Sequence, residues 1–263
     1  MFSPIMLCGT FKTTIDVDND QINEDVLKRI PRKEIDVYEK ELKKIFDKVK
    51  NKNSTFEIMG SYRRGAKDSG DIDVIFTTTE PSQTQKQQEE LFKNIITKLS
   101  GNGNIKHILA QGKTKCLVIG HIPPSALHRR IDFLYTPPEQ YAFAILYFTG
   151  SKHFNTAMRG LALKNGLSLN EHAFTVAKTG KPLSSIDPNA SFKTEQDIFN
   201  YLDMEYREPT ERINDKSVVI KSKKKVPTPK ASTPKASTPK ASTPKASTPK
   251  ASTNITNYRN QGK

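Results

Sequence analysis

Two short apolar segments of this chain carry aspartates, and this pattern constrains the fold more than any other feature. Residues 69–76 read SGDIDVIF and residues 128–134 read HRRIDFL. Both segments have the β-branched and aromatic composition of strands, in which side chains at i and i+2 point to the same face. Asp71 and Asp73 are therefore expected to share a face, and the second strand offers Asp132. Because unpaired buried charge is costly, the three acids predict a functional site rather than a solvated acidic loop.

A Gly-Ser turn and a basic loop, GSYRRG, precede the first acidic segment. The N–H groups of such a turn can approach a phosphate closely, because its glycine has no side chain. The serine adds a hydroxyl donor, and the second arginine adds a guanidinium fork suited to phosphate oxygens. A second turn of small residues lies just before the first aspartate. The candidate phosphate-binding residues are Gly60, Ser61, Arg64, Ser69 and Gly70.

Carboxylates beside a phosphate cradle indicate a magnesium site. Mg²⁺ prefers hard oxygen ligands and keeps several waters, so a few carboxylates plus phosphate oxygens suffice. Nucleotidyl transfer needs a deprotonated hydroxyl, a polarised α-phosphorus and a neutralised pyrophosphate, and two Mg²⁺ ions can supply all three. We expect Asp71 and Asp73 to bridge both ions. Asp132 is expected to complete the ion that activates the hydroxyl, with Mn²⁺ able to substitute for Mg²⁺.

The order of strand-like and helix-like segments predicts an α/β (α+β) fold with a mixed sheet. In the first unit we expect a helix opened by Pro31, an exposed helix at 84–99, and strands at 54–59, 71–77, 116–120 and 130–135. In a second, smaller unit we expect helices at 139–148, 152–164 and near 194–202, and strands at 167–170 and 173–177. The predicted divisions are a poorly ordered segment at 1–28, the two units at 29–136 and 137–213, and a disordered tail at 214–263.

The excess positive charge lies in this C-terminal tail. The chain has 42 Lys and Arg against 28 Asp and Glu, and residues 216–263 hold twelve of the basic residues and no acidic one. KSKKK is followed by four copies of ASTPK at 231–250, whose regular prolines exclude a helix. A basic extended tail favours a polyanion such as nucleic acid, with Lys221, Lys223, Lys224 and Lys225 as candidate DNA-binding residues. A neutral repeat expansion, a nuclear import signal and proline-directed phosphorylation remain alternative interpretations of the tail.

From Lys28 to Pro209 the chain resembles the family X DNA polymerases. The resemblance rests on RIPR at 29–32, GSYRRG at 60–65, SGDIDV at 69–74, HRRID at 128–132, LYFTGS at 146–151, FN at 154–155, MR at 158–159 and YREP at 206–209. It implies a nucleotidyltransferase palm at 29–136 and a C-terminal subdomain at 137–213 that binds the nascent base pair. It also implies template-directed, gap-filling addition of dNMP from dNTP to a primer 3′-OH, with release of pyrophosphate.

For the palm, the resemblance implies a role for each matched residue. Asp71 and Asp73 resemble the shared metal ligands, and Asp132 resembles the third ligand near the primer terminus. Arg130 resembles the primer-side arginine beside that ligand. Triphosphate contacts are implied for Ser61, Arg64 and Gly70, with a weaker one for Arg29.

For the C-terminal subdomain, the implied contacts are to the nucleotide and the template. Tyr147, Phe148 and Gly150 resemble the segment that packs against the incoming sugar and disfavours ribose. Asn155 resembles the minor-groove contact to the incoming base, and Arg159 resembles the template-strand contact. Without the surrounding motif, the two aromatic residues would be interpreted as core residues, and the other two as a surface amide and a solvated charge.

The sequence departs from the family pattern in two places. Only 28 residues precede Arg29, too few for the N-terminal domain with which family members grip the 5′-phosphate of a gap. We therefore expect no 5′-deoxyribose-phosphate lyase activity. Lys152 stands near the incoming base where beta-type members carry an acid, so we expect nucleotide affinity or fidelity to differ.

The expected setting is DNA repair of the base-excision type, with primed or gapped DNA and dNTP as substrates of a monomer. Two isolated cysteines, and the lack of an apolar run of about 18 residues, favour an intracellular protein without a membrane span. It would be nuclear in a eukaryote or virus-encoded in an infected cell. Two other functions stay open: template-independent nucleotide addition, and a non-catalytic DNA-binding scaffold. Asn155 and Arg159 favour a template, and the three aspartates favour catalysis.

Overall fold

The computed structural model describes residues 20–50, 53–78 and 84–221, in which a five-stranded sheet forms the centre of the first part. The elements of this part are α1 (Asp20–Leu27), β1 (Ile30–Pro31), α2 (Arg32–Val49), β2 (Ser54–Ile58), α3 (Gly60–Arg63), β3 (Asp68–Ser69), β4 (Ile72–Thr78), α4 (Gln85–Gly101), β5 (Ile105–Gln111), β6 (Lys115–Gly120) and β7 (Arg129–Tyr135). Strands β1 and β3 form a separate two-stranded pair.

The strand order of the sheet is β2-β4-β7-β6-β5, with β4 and β7 as its parallel pair. The other neighbouring strands are antiparallel, so the mixed sheet predicted from the sequence is confirmed. In the β4–β7 register, Asp73 lies opposite Asp132. Sequence analysis did not predict β5, whose residues Ile105–Gln111 are mostly exposed or half-buried at one edge.

One face of the sheet packs on the core helices, and the other carries the carboxylates. Val74, Phe76, Ile131 and Phe133 point to the face covered by α2 and α4 and join the main hydrophobic core there. Alternation along the same strands places Asp73 and Asp132 on the opposite face. The carboxylates therefore lie on the face that the core helices leave free.

A second part follows and packs onto that same sheet face. It contains α5 (Tyr141–Thr149), α6 (Lys152–Lys164), β8 (Leu167–Leu169), β9 (Phe174–Val176) and α7 (Glu195–Tyr201). Its own core is built around Phe143, Phe154, Phe174 and Phe199. A third cluster joins the two parts, because Ala144 and Ile145 of α5 pack against Met59 and Ile75.

The predicted N-terminal and C-terminal boundaries are wrong in part. The poorly ordered segment was expected to reach residue 28, but Asp20–Leu27 form α1, held to the sheet by the buried side chain of Asp25. The tail was expected to begin at 214, but residues 214–221 pack back on the second part. Val219 and Asp203 accept backbone hydrogen bonds there from Glu205 and Lys221. The other predicted tail residues, and residues 1–19, lie outside the described residues.

No helix in the described parts of the chain is long and apolar enough to span a membrane.

Phe76 is the side chain on which the core of the first part converges. It is 1% exposed and its ring lies against the rings of Phe46, Phe56, Phe92 and Phe133. Phe76→Ala should lower the free energy of unfolding by about 3–5 kcal/mol, measured by urea denaturation. The exposed Leu163→Ala should change it by less than about 0.5 kcal/mol. Equal losses in the two variants would contradict this description of the core.

Candidate active site

Three carboxylates meet on the sheet face opposite the core helices α2 and α4, as the sequence predicted. One oxygen from each of Asp71, Asp73 and Asp132 lies within 4.8 Å of the other two. Asp73 and Asp132 face each other across the parallel β4–β7 pair, and Asp71 precedes β4 by one residue. Asp132 is buried at 5% exposure, while Asp71 and Asp73 are half-buried. The cluster offers hard oxygen ligands within the reach of a shared divalent cation.

Burial has the largest effect on the electrostatics of this cluster, and the crowding of like charges adds to it. Burial, together with the charges of Asp71 and Asp132, raises the pKa of Asp73 well above its ordinary value. Burial also raises the pKa of Asp71, although the nearby Arg130 opposes the rise. Carboxylates that are buried and crowded in this way gain charge compensation from a bound cation. The three residues therefore fit a divalent metal ion on charge as well as on position.

Arg130 is the cation that the chain itself supplies to these acids. Its Nη2 lies 2.8 Å from Oδ2 of Asp132 and 3.2 Å from Oδ2 of Asp71, and its Nε donates to Oδ1 of Asp132 at 3.1 Å. The guanidinium thus spans two of the three carboxylates. Its pairing with Asp132 follows from their i and i+2 positions on β7, since both point to the same face.

Gly60 makes room for the carboxylate of Asp73. It has a φ of 62°, and a Cβ at this position would overlap Oδ2 of Asp73. The backbone N–H of Met59 donates to the carbonyl of Asp73 at 2.8 Å, which holds the start of α3 beside β4. The predicted Gly-Ser turn therefore adjoins the acids, and its glycine is required by both backbone angle and space.

The other predicted phosphate-binding residues of the first part gather beside α3. The hydroxyl of Ser61 donates to the hydroxyl of Ser69 at 2.7 Å. The guanidinium of Arg29 bonds the carboxylate of Asp68 through Nε at 2.8 Å and Nη2 at 2.6 Å. It also packs against Gly70, where a Cβ would lie 3.2 Å from Nη1. Backbone pairing of β1 with β3 brings these segments together.

Arg64 joins the two parts of the chain at the LYFTGS motif. Its Nη1 donates to the carbonyl of Thr149. The same atom lies close to Gly150, where an added Cβ would be 3.4 Å from it. Burial lowers the pKa of Arg64, although Asp73 opposes this change. The predicted triphosphate arginine therefore reaches the segment predicted to hold the sugar.

Three of the predicted nucleotide and template contacts of the second part lie along one groove. Nδ2 of Asn155 donates to the carbonyl of Tyr147 at 2.6 Å. Tyr147, Asn155 and Arg159 line this groove, with Met158 and Leu169 among its apolar walls. Phe148 points elsewhere: it lines a cavity with Asp73, Asp132 and other residues of the sheet face. The two aromatic residues of the motif thus reach two neighbouring sites.

Of the four predicted tail lysines, Lys221 alone falls within the residues that the structure describes. Lys221 is exposed, and its Nζ donates to Oδ1 of Asn200 at 2.8 Å beside α7. Lys223, Lys224 and Lys225 lie outside the described residues. Their DNA-binding role stays a prediction.

Sequence reasoning missed a charged network between the two parts. Arg63 donates to Glu195 at 2.9 and 3.1 Å and to the hydroxyl of Thr149 at 2.6 Å. Arg212, which is fully buried, bonds the same carboxylate. Although burial opposes it, hydrogen bonds from both arginines lower the pKa of Glu195. Arg63 and Glu195 are 132 residues apart, so no local pattern could have paired them.

A nucleotidyltransferase palm with a helical second subdomain is the class that this sheet, acid cluster and turn define. The model of the DNA polymerase beta palm matches residues 29–138, and that of the DNA polymerase beta thumb matches residues 144–213. The chain belongs to family X of the DNA polymerases.

The chain is similar to proteins that are named as DNA polymerases. DNA polymerase lambda of Rattus norvegicus is 32% identical over 203 residues, which are 72% of this chain and 34% of that protein. DNA polymerase/3′-5′ exonuclease PolX of Bacillus subtilis is 31% identical over 126 residues, 48% of this chain and 20% of that protein. DNA polymerase lambda of Arabidopsis thaliana is 25% identical over 202 residues, 72% of this chain and 37% of that protein. The chain thus spans between a fifth and little more than a third of the length of these relatives.

The raised pKa of Asp73 predicts a pH-dependent stability. The ordinary pKa of an aspartate side chain is 3.8. At pH values above this, the folded state holds a proton on Asp73 that the unfolded state has lost. Stability therefore falls as pH rises through that window. Without divalent cations, Asp73→Asn should be more stable than the original chain at pH 8, and this gain should vanish near pH 3.5.

Urea denaturation across this pH range, with a chelator present, measures the difference. Asp215→Asn, at an exposed position, serves as the control and should show no pH-dependent gain. A gain for Asp73→Asn that is the same at every pH would contradict the electrostatic cause.

Proposed function

We propose that this chain is a template-directed DNA polymerase of the gap-filling repair type. It would add dNMP from dNTP to a primer 3′-OH and release pyrophosphate. The observation that carries the proposal is the meeting of Asp71, Asp73 and Asp132 within 4.8 Å in a family X palm. The similarity to polymerases named lambda and PolX supports the same activity.

The three aspartates would hold two divalent cations, Mg²⁺ in preference and Mn²⁺ as a substitute. Bound there, the cations would polarise the α-phosphorus, lower the pKa of the primer hydroxyl and neutralise the pyrophosphate. The raised pKa of Asp73 supports a need for such a cation at neutral pH.

The chain's own donors would orient the triphosphate. Ser61, Ser69 and Gly70 form one small-residue wall, with Arg29 beside it. Arg64 stands at the junction with Gly150 and places a guanidinium near the acids. Arginine suits this role because its fork matches two phosphate oxygens at once.

Template direction is favoured by the groove of the second part. Asn155 is held at the carbonyl of Tyr147, which leaves its amide oxygen for a base edge. Arg159, on the same groove, adds a cation suited to a template phosphate or base. Template-independent addition would make no use of a template contact at Arg159.

Asp132→Ala should abolish nucleotide incorporation. Loss of a residue that only hydrogen-bonds a metal ligand costs about 10–100-fold in metal affinity or activity. Loss of a ligand itself should therefore lower activity by more than about 100-fold. Single-nucleotide incorporation on a one-nucleotide gap with Mg²⁺ measures the effect, and fluorescence anisotropy measures DNA binding. Binding should stay within about threefold, since no template contact is removed.

Two controls complete this experiment. Asp215→Ala, at an exposed position, should incorporate normally, whereas normal incorporation by Asp132→Ala would refute its role. A single-stranded primer should be extended at least about tenfold more slowly than a gapped duplex. Equal extension of both would favour template-independent addition.

We also propose that the basic tail tethers DNA. Residues 223–263 hold ten Lys and Arg, and the described fold ends just before them. Removing these residues spares the backbone pairing of Lys221 with Asp203. DNA binding by the shortened chain should weaken, with a salt dependence lower by about 0.9 for each lost phosphate contact. An unchanged slope of log affinity against log salt would dismiss the tether.

The expected absence of lyase activity stays a prediction, because it concerns residues ahead of Arg29. Gapped DNA with a 5′-deoxyribose phosphate tests it directly. Trapping of a borohydride-reduced adduct would contradict the expectation.

A further inference from the structure

Arg129 begins the strand that carries Asp132, yet it points away from the acids. Its side chain is 2% exposed. Nε and Nη2 donate to the two carboxylate oxygens of Glu34 on α2, both at 2.7 Å. Nη1 donates to the carbonyls of Lys28 at 3.1 Å and Asp25 at 3.4 Å, at the end of α1. One guanidinium therefore ties the start of β7 to two helices.

The neighbouring His128 is tied to the same helix through Asp25. Oδ2 of Asp25 lies 3.2 Å from both the backbone nitrogen and the ring Nδ1 of His128. Oδ1 accepts from Gln21 at 2.9 Å and from Lys28 at 3.3 Å. Although burial opposes it, these hydrogen bonds hold the pKa of Asp25 well below its ordinary value. The buried carboxylate is thus a charged and well-satisfied anchor.

The loop that leads into β7 is held at two further points. The hydroxyl of Ser125 donates to Glu34 at 2.7 Å. The backbone N–H of Ile122 donates to the hydroxyl of Tyr38, also on α2, at 3.3 Å. Helix α2 therefore determines where the chain turns before it enters the site.

These anchors matter because the first two residues of β7 are not paired with β4. The β4–β7 register begins at Ile131, opposite Ile72. Arg129 and Arg130 pair only with β6 in the registers of the sheet. The position of the Arg130 guanidinium, one residue ahead of the β4–β7 register, thus depends on what holds Arg129 from behind.

We propose that Arg129 and Glu34 form a positioning pair for the acid cluster. The pair fixes the position of β7 so that Asp132 and Arg130 meet Asp71 across the sheet. Asp25 supports it by holding His128. These residues touch no substrate; they act through β7. The part of this inference that concerns turnover rests on the proposed polymerase function.

The test compares conservative variants at the pair. Arg129→Met removes the hydrogen bonds to Glu34, Lys28 and Asp25. Glu34→Gln removes the charge but keeps the size, and Arg129→Lys keeps the charge but loses the fork. Glu41→Gln is the matched control, because Glu41 lies on the same helix in an exposed pair with Lys44. Circular dichroism selects a temperature at which each variant is folded.

Two readouts separate positioning from mere stability. Electron paramagnetic resonance measures Mn²⁺ binding to each folded protein without any substrate. We expect Arg129→Met to bind Mn²⁺ about tenfold more weakly, Arg129→Lys and Glu34→Gln to lose less, and Glu41→Gln to match the original chain. Incorporation on a gapped duplex should show a similar fall in kcat, with the dNTP KM within about threefold.

The double variant gives a further requirement. If Arg129 and Glu34 act through one contact, Glu34→Gln added to Arg129→Met should cause no additional fall in kcat or in Mn²⁺ affinity. An additional fall would overturn the pairing. Folded variants that bind Mn²⁺ and turn over like Glu41→Gln would overturn the proposal as a whole.

Failure of folding or of the proposed function leads to distinct results. If Arg129→Met does not fold, Glu34→Gln and Arg129→Lys decide, and normal Mn²⁺ binding by both overturns the proposal. If the original chain does not extend a primer, the polymerase proposal fails. The Mn²⁺ comparison then still supports or overturns the positioning pair.

Discussion

The parallel pairing of β4 with β7 is the constraint on which the rest of this structure depends. It places Asp73 opposite Asp132 and so concentrates negative charge at one point of a largely apolar sheet. Left alone, such a cluster is unfavourable, as the raised pKa of Asp73 shows. The fold tolerates it because the opposite faces of the same strands contribute Phe76 and Phe133 to the core. Stability and the acid cluster thus come from alternate residues of the same two strands.

The surroundings of the cluster accommodate the three carboxylates by different means. Arg130 spans two carboxylates, Gly60 leaves space for a third, and Arg64 approaches from the junction with the second part. The buried Arg63–Glu195–Arg212 network keeps that junction closed. A charged network of this kind is a poor source of stability but a good specifier of geometry. Its location suits a protein in which two subdomains must present their residues to one substrate.

Local patterns predicted the elements that have a strong period or a turn signal. Pro31 marks the start of α2, and the two Asp-bearing strands and the sequence LYFTGS were placed correctly because each combines apolar runs with Gly or Pro boundaries. Local patterns failed for α1 and β5, whose residues are polar or exposed. The Asp25 carboxylate of α1 is hydrogen-bonded by His128, 103 residues away along the chain. Such a contact leaves no local trace in the sequence.

The sequence by itself determined which residues could do chemistry and that Asp71 and Asp73 would share a face, since strand alternation is local. It also determined the identity of the phosphate-binding candidates, because glycine, serine and arginine are required by space and charge. Only the tertiary structure decided that Asp132 lies opposite Asp73, that Arg130 spans two acids, and that Arg129 and Glu34 hold β7 from behind. These are contacts between segments distant along the chain. Their geometry depends on the packing of the whole sheet rather than on any neighbouring residue.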